Sequence, residues 1–157
     1  MSRRRDQRRA AVFALYQHEV TGRELDALFE RDASTFTRAL AYAADDYAPE
    51  LDDHIGRHAK GWTVARIAPL EKAIMRVALL EILHPDAVPG DHPIPAEGAI
   101  DEAVELAKTY SGADAPGFVN GVLAAVLREQ RPEGAQREQR PEGAQRVPRP
   151  VPNRNDR

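Results

Sequence analysis

Between Pro69 and Pro85 the chain carries an apolar run that leaves almost no polar face. Leu70, Ile74, Val77, Ala78, Leu80 and Leu83, with the adjoining Leu79 and Ile82, surround a helix axis on nearly every side. A helix that is apolar all round has to be covered all round. This segment is therefore expected at the centre of the core, with the remaining elements arranged about it. Pro69 suits the first helical position, where a missing N–H leaves nothing unpaired, and Pro85 stops the run.

The flanking segments read as amphipathic helices. Over residues 4–20 the apolar positions Val12, Tyr16 and Val20 recur every fourth residue, Phe13 and Leu15 widen the stripe, and Thr21-Gly22 supplies the stop. A short helix is expected over residues 24–30. Another runs from Ser34, an N-cap, through Phe36, Leu40 and Ala43-Ala44 until Pro49 breaks it, and residues 50–60 continue with Leu51 and Ile55 to Gly61. Residues 85–95 hold four prolines and a glycine, which makes a loop. Pro95 opens a helix with Ile100, Val104, Ala107 and Tyr110 on one face, stopped by Ser111-Gly112. Pro116 opens the last, with Val119, Val122, Leu123, Val126 and Leu127. No useful strand-like alternation appears. The expectation is an all-α, single-domain bundle of six or seven helices, with ~120 ordered residues, enough for one core.

Beyond residue 130 the pattern ends. The nine residues 128–136, Arg-Glu-Gln-Arg-Pro-Glu-Gly-Ala-Gln, are repeated letter for letter at 137–145, and five of the twelve prolines lie past residue 128. A stretch this poor in apolar residues cannot offset its chain entropy. The domain expectation is a helical body over 1–130 and a disordered Pro/Arg-rich tail over 131–157.

Composition then removes whole classes. With no cysteine there is no disulfide scaffold, thiolate zinc site, iron–sulfur cluster or Cys nucleophile. No apolar run approaches a membrane span, and the start lacks the pattern of a secretory signal, so a cytoplasmic protein is expected. Charge is uneven: residues 3–9 carry +4, residues 10–127 carry −10 and residues 128–157 carry +3. An acidic body with basic ends points to an anionic partner for those ends.

The first end is the sharpest candidate site. Arg3, Arg4, Arg5, Arg8 and Arg9 crowd one helix start, although like charges four apart and cations at a helix N-terminus both destabilise an isolated helix. Clustered arginine is what phosphate contacts need. Tyr16 follows at nearly whole helical turns from Arg5 and Arg9, as a core ring or a stacking ring. His54 and His58, with Glu50 one turn earlier, have metal-like spacing but nothing to complete a site; an exposed face accounts for them better, and no cofactor or metal is expected. Asp45-Asp46 and Asp52-Asp53 point different ways around a helix and read as solvated faces. Gly112, Gly117 and Gly121 lack the strand and Gly-Lys-Ser/Thr end of a phosphate loop. Asn120-Gly121 inside a helix reads as close packing at Gly121, with Asn120 satisfying loop backbone. Phe118, just past a small loop, is either a packed staple or an exposed stacking ring.

Three stretches now resemble one family. They are Arg3-Arg4-Arg5 through Ala14-Leu15-Tyr16; Trp62, Arg66-Ile67 and Glu71-Lys72-Ala73-Ile74-Met75-Arg76-Val77-Ala78, ending at Glu81-Ile82-Leu83; and Ala99-Ile100-Asp101-Glu102-Ala103-Val104-Glu105-Leu106-Ala107-Lys108 followed by Phe118-Val119-Asn120-Gly121-Val122-Leu123. Across residues 3–128 the chain resembles the NusB family of bacterial transcription antitermination proteins. The resemblance implies an all-helical fold of two packed sub-bundles. It also implies binding of single-stranded boxA RNA from ribosomal RNA leaders. NusE, a small-subunit ribosomal protein, is the implied partner, together with the transcription elongation complex and, in some members, a second copy of the chain. It places the opening arginines, Tyr16 and Phe118 at RNA, and Glu71 and Asp114 at or near the NusE and RNA surfaces. Departures are Asp6 in place of a basic residue, Gly98 in place of a branched apolar one, a longer Pro-rich segment 86–95, Ala115-Pro116-Gly117 before Phe118, and the tail.

The reading is a non-enzymatic RNA-binding factor. Two alternatives stand beside it. One is a stand-alone module related to the N-terminal domain of ribosomal RNA cytosine methyltransferases, whose catalytic Cys and cofactor domain are missing here. The other is a structural homodimeric helical protein with basic ends for solubility.

Overall fold

The computed structural model describes residues 3–90 and 92–131. Six helices follow one another: α1 (Arg4–Thr21), α2 (Thr35–Asp46), α3 (Ala48–His58), α4 (Pro69–Leu83), α5 (Ala96–Tyr110) and α6 (Ala115–Gln130). Short 3-10 turns lie at Leu25–Ala27, Val64–Arg66 and Pro85–Ala87. Among the described residues there is no strand, and no helix is long and apolar enough to cross a membrane. The chain divides into two compact units, Met1–Val126 and Leu127–Arg157. Of the second only residues 127–131 are described; the repeat beyond its first four residues and nearly all of the expected tail lie outside the described residues.

The helix ends follow local chemistry, with small departures from the expected boundaries. The Ser34 hydroxyl accepts a 3.0 Å hydrogen bond from the Thr37 amide and caps α2. Gly22 ends α1 at φ 73°, a left-handed conformation that favours glycine. Pro69 is the first residue of α4, as expected, but Pro95 lies one position before α5 and Pro116 is the second residue of α6. Residues 24–30 form only the 3-10 turn Leu25–Ala27, too short a segment to repay a helical nucleus.

Helix α4 occupies the centre, packing against α1, α2, α3 and α5. Ile74, Met75, Leu79 and Leu80 are fully buried. They meet Val12 and Leu15 of α1, Leu40 of α2, and Leu51 and Ile55 of α3 in a core that is also fully closed.

The face of α1 that turns inward differs from the one the fourfold spacing suggested. Ala11, Val12, Ala14 and Leu15 are buried, whereas Val20 is 55% exposed and Tyr16 only half-buried. Four residues advance a helix by about 40° more than one turn, so a strict fourfold pattern rotates off any face. The true inner stripe runs through Arg8, Val12 and Leu15, with the exposed Glu19 continuing it at the helix end, and both polar residues find partners on α4. Arg8 donates to Glu81 at 2.8 and 3.0 Å. Glu19 takes Lys72 at 2.6 Å and Arg76 at 3.1 Å. The start of α1 thus pairs with the end of α4, and the end of α1 with its start, which makes the two helices antiparallel and pins their register at both ends.

Two departures from the family pattern explain each other. A Cβ added at Gly98 would stand 3.1 Å from Cγ1 of Ile94. Ile94, delivered by the Pro-rich loop, fills the space that a branched side chain on α5 would take.

Leu79→Ala should lower stability by about 2–5 kcal/mol, the usual cost of emptying a closed core site, while Val20→Ala should stay within about 0.5 kcal/mol. Urea unfolding of both variants, compared at equal m-values, checks the pair.

Candidate nucleic-acid interface

The arginines at the start of α1 are not a bare cluster of like charges. Arg3 is exposed just before the helix. Arg4 donates to Gln7 Oε1 at 2.5 Å and lies 4.1 Å over the Phe36 ring. Arg5 grips Glu102 of α5 through two hydrogen bonds of 3.1 and 3.0 Å, and that contact, first the hydrogen bond and then the charge, raises its pKa. Arg9 meets Asp6 at 3.1 Å. Arg8 is the exception in depth, with its side chain 12% exposed and its partner Glu81 7%. The repulsion that the isolated helix would suffer is answered by carboxylates, two of them from other helices.

This assigns different tasks within one motif. Arg8 belongs to the α1–α4 register, since a double hydrogen bond at that depth is costly to break. Arg5 and Arg9 form solvent-exposed pairs, worth little to stability. Asp6, the departure from the family pattern, is the residue that occupies Arg9.

Phe118, Glu71 and Asp114 come together away from the arginines, in a groove of 510 Å3. Its walls are the 3-10 turn at Val64–Arg66, the first turn of α4, the segment after α5 and the first turn of α6. Trp62, 53% exposed, stands at the rim with Arg66. Phe118 is half-buried, so it is neither a closed staple nor a free ring. Burial pushes the Glu71 carboxyl above its ordinary 4.5, and among the described residues no hydrogen bond or opposite charge offsets that cost. An acid held in this way is suited to receiving a donor from outside the chain.

Other candidates resolve differently. Asp52 is no solvated face: it takes two 2.7 Å hydrogen bonds from Arg76. Burial alone would lower the Arg76 pKa, but the hydrogen bond and charge of Asp52, with Glu19, raise it on balance. Asp53 meets Arg57 at 3.5 Å, and Asp45 meets His18 at 3.5 Å. Glu50 Oε2 lies 2.9 Å from His84 Nε2 and 3.9 Å from His54 Nε2. Among the described residues no group of three or more His, Cys, Asp or Glu is placed to hold a metal ion. Gly121 is not closely packed: a Cβ there would meet nothing within 4 Å, and Asn120 is exposed beside it. Sequence reasoning did not single out Trp62 and Arg66 as site residues. The available signal was their position between two helices, outside any apolar stripe.

The NusB family model matches residues 5–128. The chain belongs to the NusB family. It is 37% identical to the transcription antitermination protein NusB of Symbiobacterium thermophilum over 142 residues, covering 80% of this chain and 89% of that one. Its structure is similar to NusB from T. maritima, with a TM-score of 0.71, 28% identity, and coverage of 87% and 98% of the two chains. It also shares the fold of the solved complex of the antitermination factors NusB and NusE with double-stranded RNA, at a TM-score of 0.67 and 24% identity over 80% of this chain and 96% of that one. The NusB fold thus brings Trp62, Glu71, Asp114 and Phe118 to one groove and sets the arginines on a separate helix.

Because the Glu71 pKa is raised on folding, the folded state binds its proton more tightly. The stability this contributes is present below pH 4.5 and is lost as pH rises through the folded value. Glu71→Gln should therefore melt above the wild type at pH 7, and the gap should close as pH falls below 4.5. Paired melts across that range check the sign.

Proposed function

We propose that this NusB-family chain is a non-catalytic transcription antitermination factor. It binds boxA-type RNA of ribosomal RNA leaders together with NusE and joins the elongation complex in the cytoplasm. The observation that carries this reading is the groove in which a half-buried aromatic ring and an uncompensated carboxylate share one opening. The solved NusB–NusE–RNA complex has the same fold and supports the choice of partners.

The residues divide by chemistry. Arg3, Arg4, Arg5 and Arg9 bind phosphate oxygens, and their contribution is ionic and nearly blind to sequence. Arg8 positions α1 for them. Tyr16, half-buried on the same helix, and Phe118 present rings to unpaired bases. Glu71 and Asp114 accept hydrogen bonds from NusE or from base edges at the groove mouth.

Titration against matched and scrambled single-stranded RNA, with and without NusE, tests the division. For single strands each phosphate contact contributes about 0.7 to the slope of log K against log salt. Replacing Arg5 and Arg9 together by Ala should flatten that slope by roughly 1.4 and weaken both RNAs alike. Phe118→Ala should cut affinity and leave the slope unchanged, because a stacked ring releases no counterions. An unaltered low-salt affinity for the double arginine variant would sink the phosphate assignment.

A further inference from the structure

Two side-chain contacts join α1 to α5, in parallel order. Arg5 of α1 pairs with Glu102 of α5. Eight residues later on each helix, Phe13 meets Tyr110 edge-to-face, with ring centroids 5.1 Å apart and planes at 85°. Eight residues are about 12 Å of helix, so one seam carries an arginine pair at one end and an aromatic pair at the other. Arg9 lies one turn before Phe13 on this seam, and Tyr16 lies one turn after it.

Periodicity assigned Tyr110 to the buried face of α5, with Ile100 and Ala107. Those two are buried, at 7% and 0% exposure, yet Tyr110 is 43% exposed. Its ring keeps the edge contact with Phe13 while much of it stays exposed to solvent. The chain then needs only two more residues to reach Gly112, which lines the groove of Phe118. Tyr110 therefore bridges the arginine-bearing end of the seam and that groove.

We propose that Tyr110, held by Phe13, is a base-stacking step for single-stranded RNA, linking the phosphate-binding arginines of α1 to the Phe118 groove. The proposal rests on the RNA-binding reading above. Two physical arguments favour an unpaired base as the occupant. The charges along the seam are largely matched, Arg5 by Glu102 and Arg9 by Asp6, so attraction at this point has to come from a surface that does not depend on net charge. Stacking on a ring is of that kind, and it tolerates every base. A ring already fixed by an edge contact also loses little freedom when a base settles on it. Bases inside a duplex are stacked on one another and cannot use it.

The experiment uses the full chain and a fluorescently labelled single-stranded boxA RNA, with a duplex of the same sequence as control. Tyr110→Leu retains an apolar contact for Phe13 and removes the ring, Tyr110→Phe retains the ring, and Phe118→Ala serves as reference. Tyr110→Leu should weaken single-strand binding about five- to hundredfold, with the melting temperature and the salt slope unchanged and no effect on the duplex. Tyr110→Phe should bind as the wild type does. Wild-type affinity in Tyr110→Leu beside a weakened Phe118→Ala overturns this proposal and leaves the RNA reading standing. A loss in Tyr110→Leu that tracks a fall in melting temperature makes the residue a packing element and overturns it too. An equal loss in Tyr110→Phe moves the role to the hydroxyl and rejects stacking. Absence of RNA binding by the wild type, with and without NusE, removes both.

Discussion

The ion pairs between α1 and α4 govern the rest of the molecule. Arg8 with Glu81 at one end, and Glu19 with Lys72 and Arg76 at the other, hold two antiparallel helices in a single register. A smooth apolar seam between Val12, Leu15 and the inner face of α4 would tolerate sliding by a turn, because one methyl group packs much like another. The charged pairs do not tolerate it, since sliding would leave the deep side chains of Arg8, Glu81 and Lys72 without their partners. Asp52 extends the constraint to α3 through Arg76. The network contributes specificity of arrangement, and apolar burial supplies most of the driving force.

That register decides where the functional groups stand. With α1 fixed along α4, Arg5 faces Glu102 and Phe13 faces Tyr110, so α5 is aligned with α1 as well. The start of α4, which the same network holds in place, carries Glu71 into the groove with Phe118. Arginines that look equivalent in the sequence are sorted by it into one structural residue and several exposed ones. The binding surfaces proposed for the chain depend on this common frame.

Much of the frame was legible in the residues. The all-round apolar character of α4 announced its central place, and prolines, Ser34 and the Gly stops marked most helix ends closely, although Pro49, expected to break α2, is the second residue of α3 and α2 already ends at Asp46. What escaped was three-dimensional. A fourfold spacing on α1 pointed to Tyr16 and Val20, but the inner face follows 3.6 residues per turn and includes the charged Arg8, with Glu19 continuing it at the helix end. Asp52 looked like a surface acid because its partner Arg76 lies on another helix. The break with local helix rules at Arg4, Arg5, Arg8 and Arg9 was visible, yet its resolution through Glu81 and Glu102 was not, because those carboxylates are more than seventy positions away in the chain. Tyr110 fitted an apolar stripe that simply runs out before the helix does. Trp62 carried no periodic signal at all.

The central claim is that RNA is bound along α1 and the α5–α6 corner. Photo-crosslinking tests it most directly. A boxA RNA carrying 4-thiouridine at single positions is bound to the full chain with NusE, irradiated and mapped by mass spectrometry. The account predicts cross-links concentrated in residues 3–16 and 110–118, absent with scrambled RNA at physiological salt. Cross-links confined to α2 and α3, or equal yields with the scrambled strand, would contradict it.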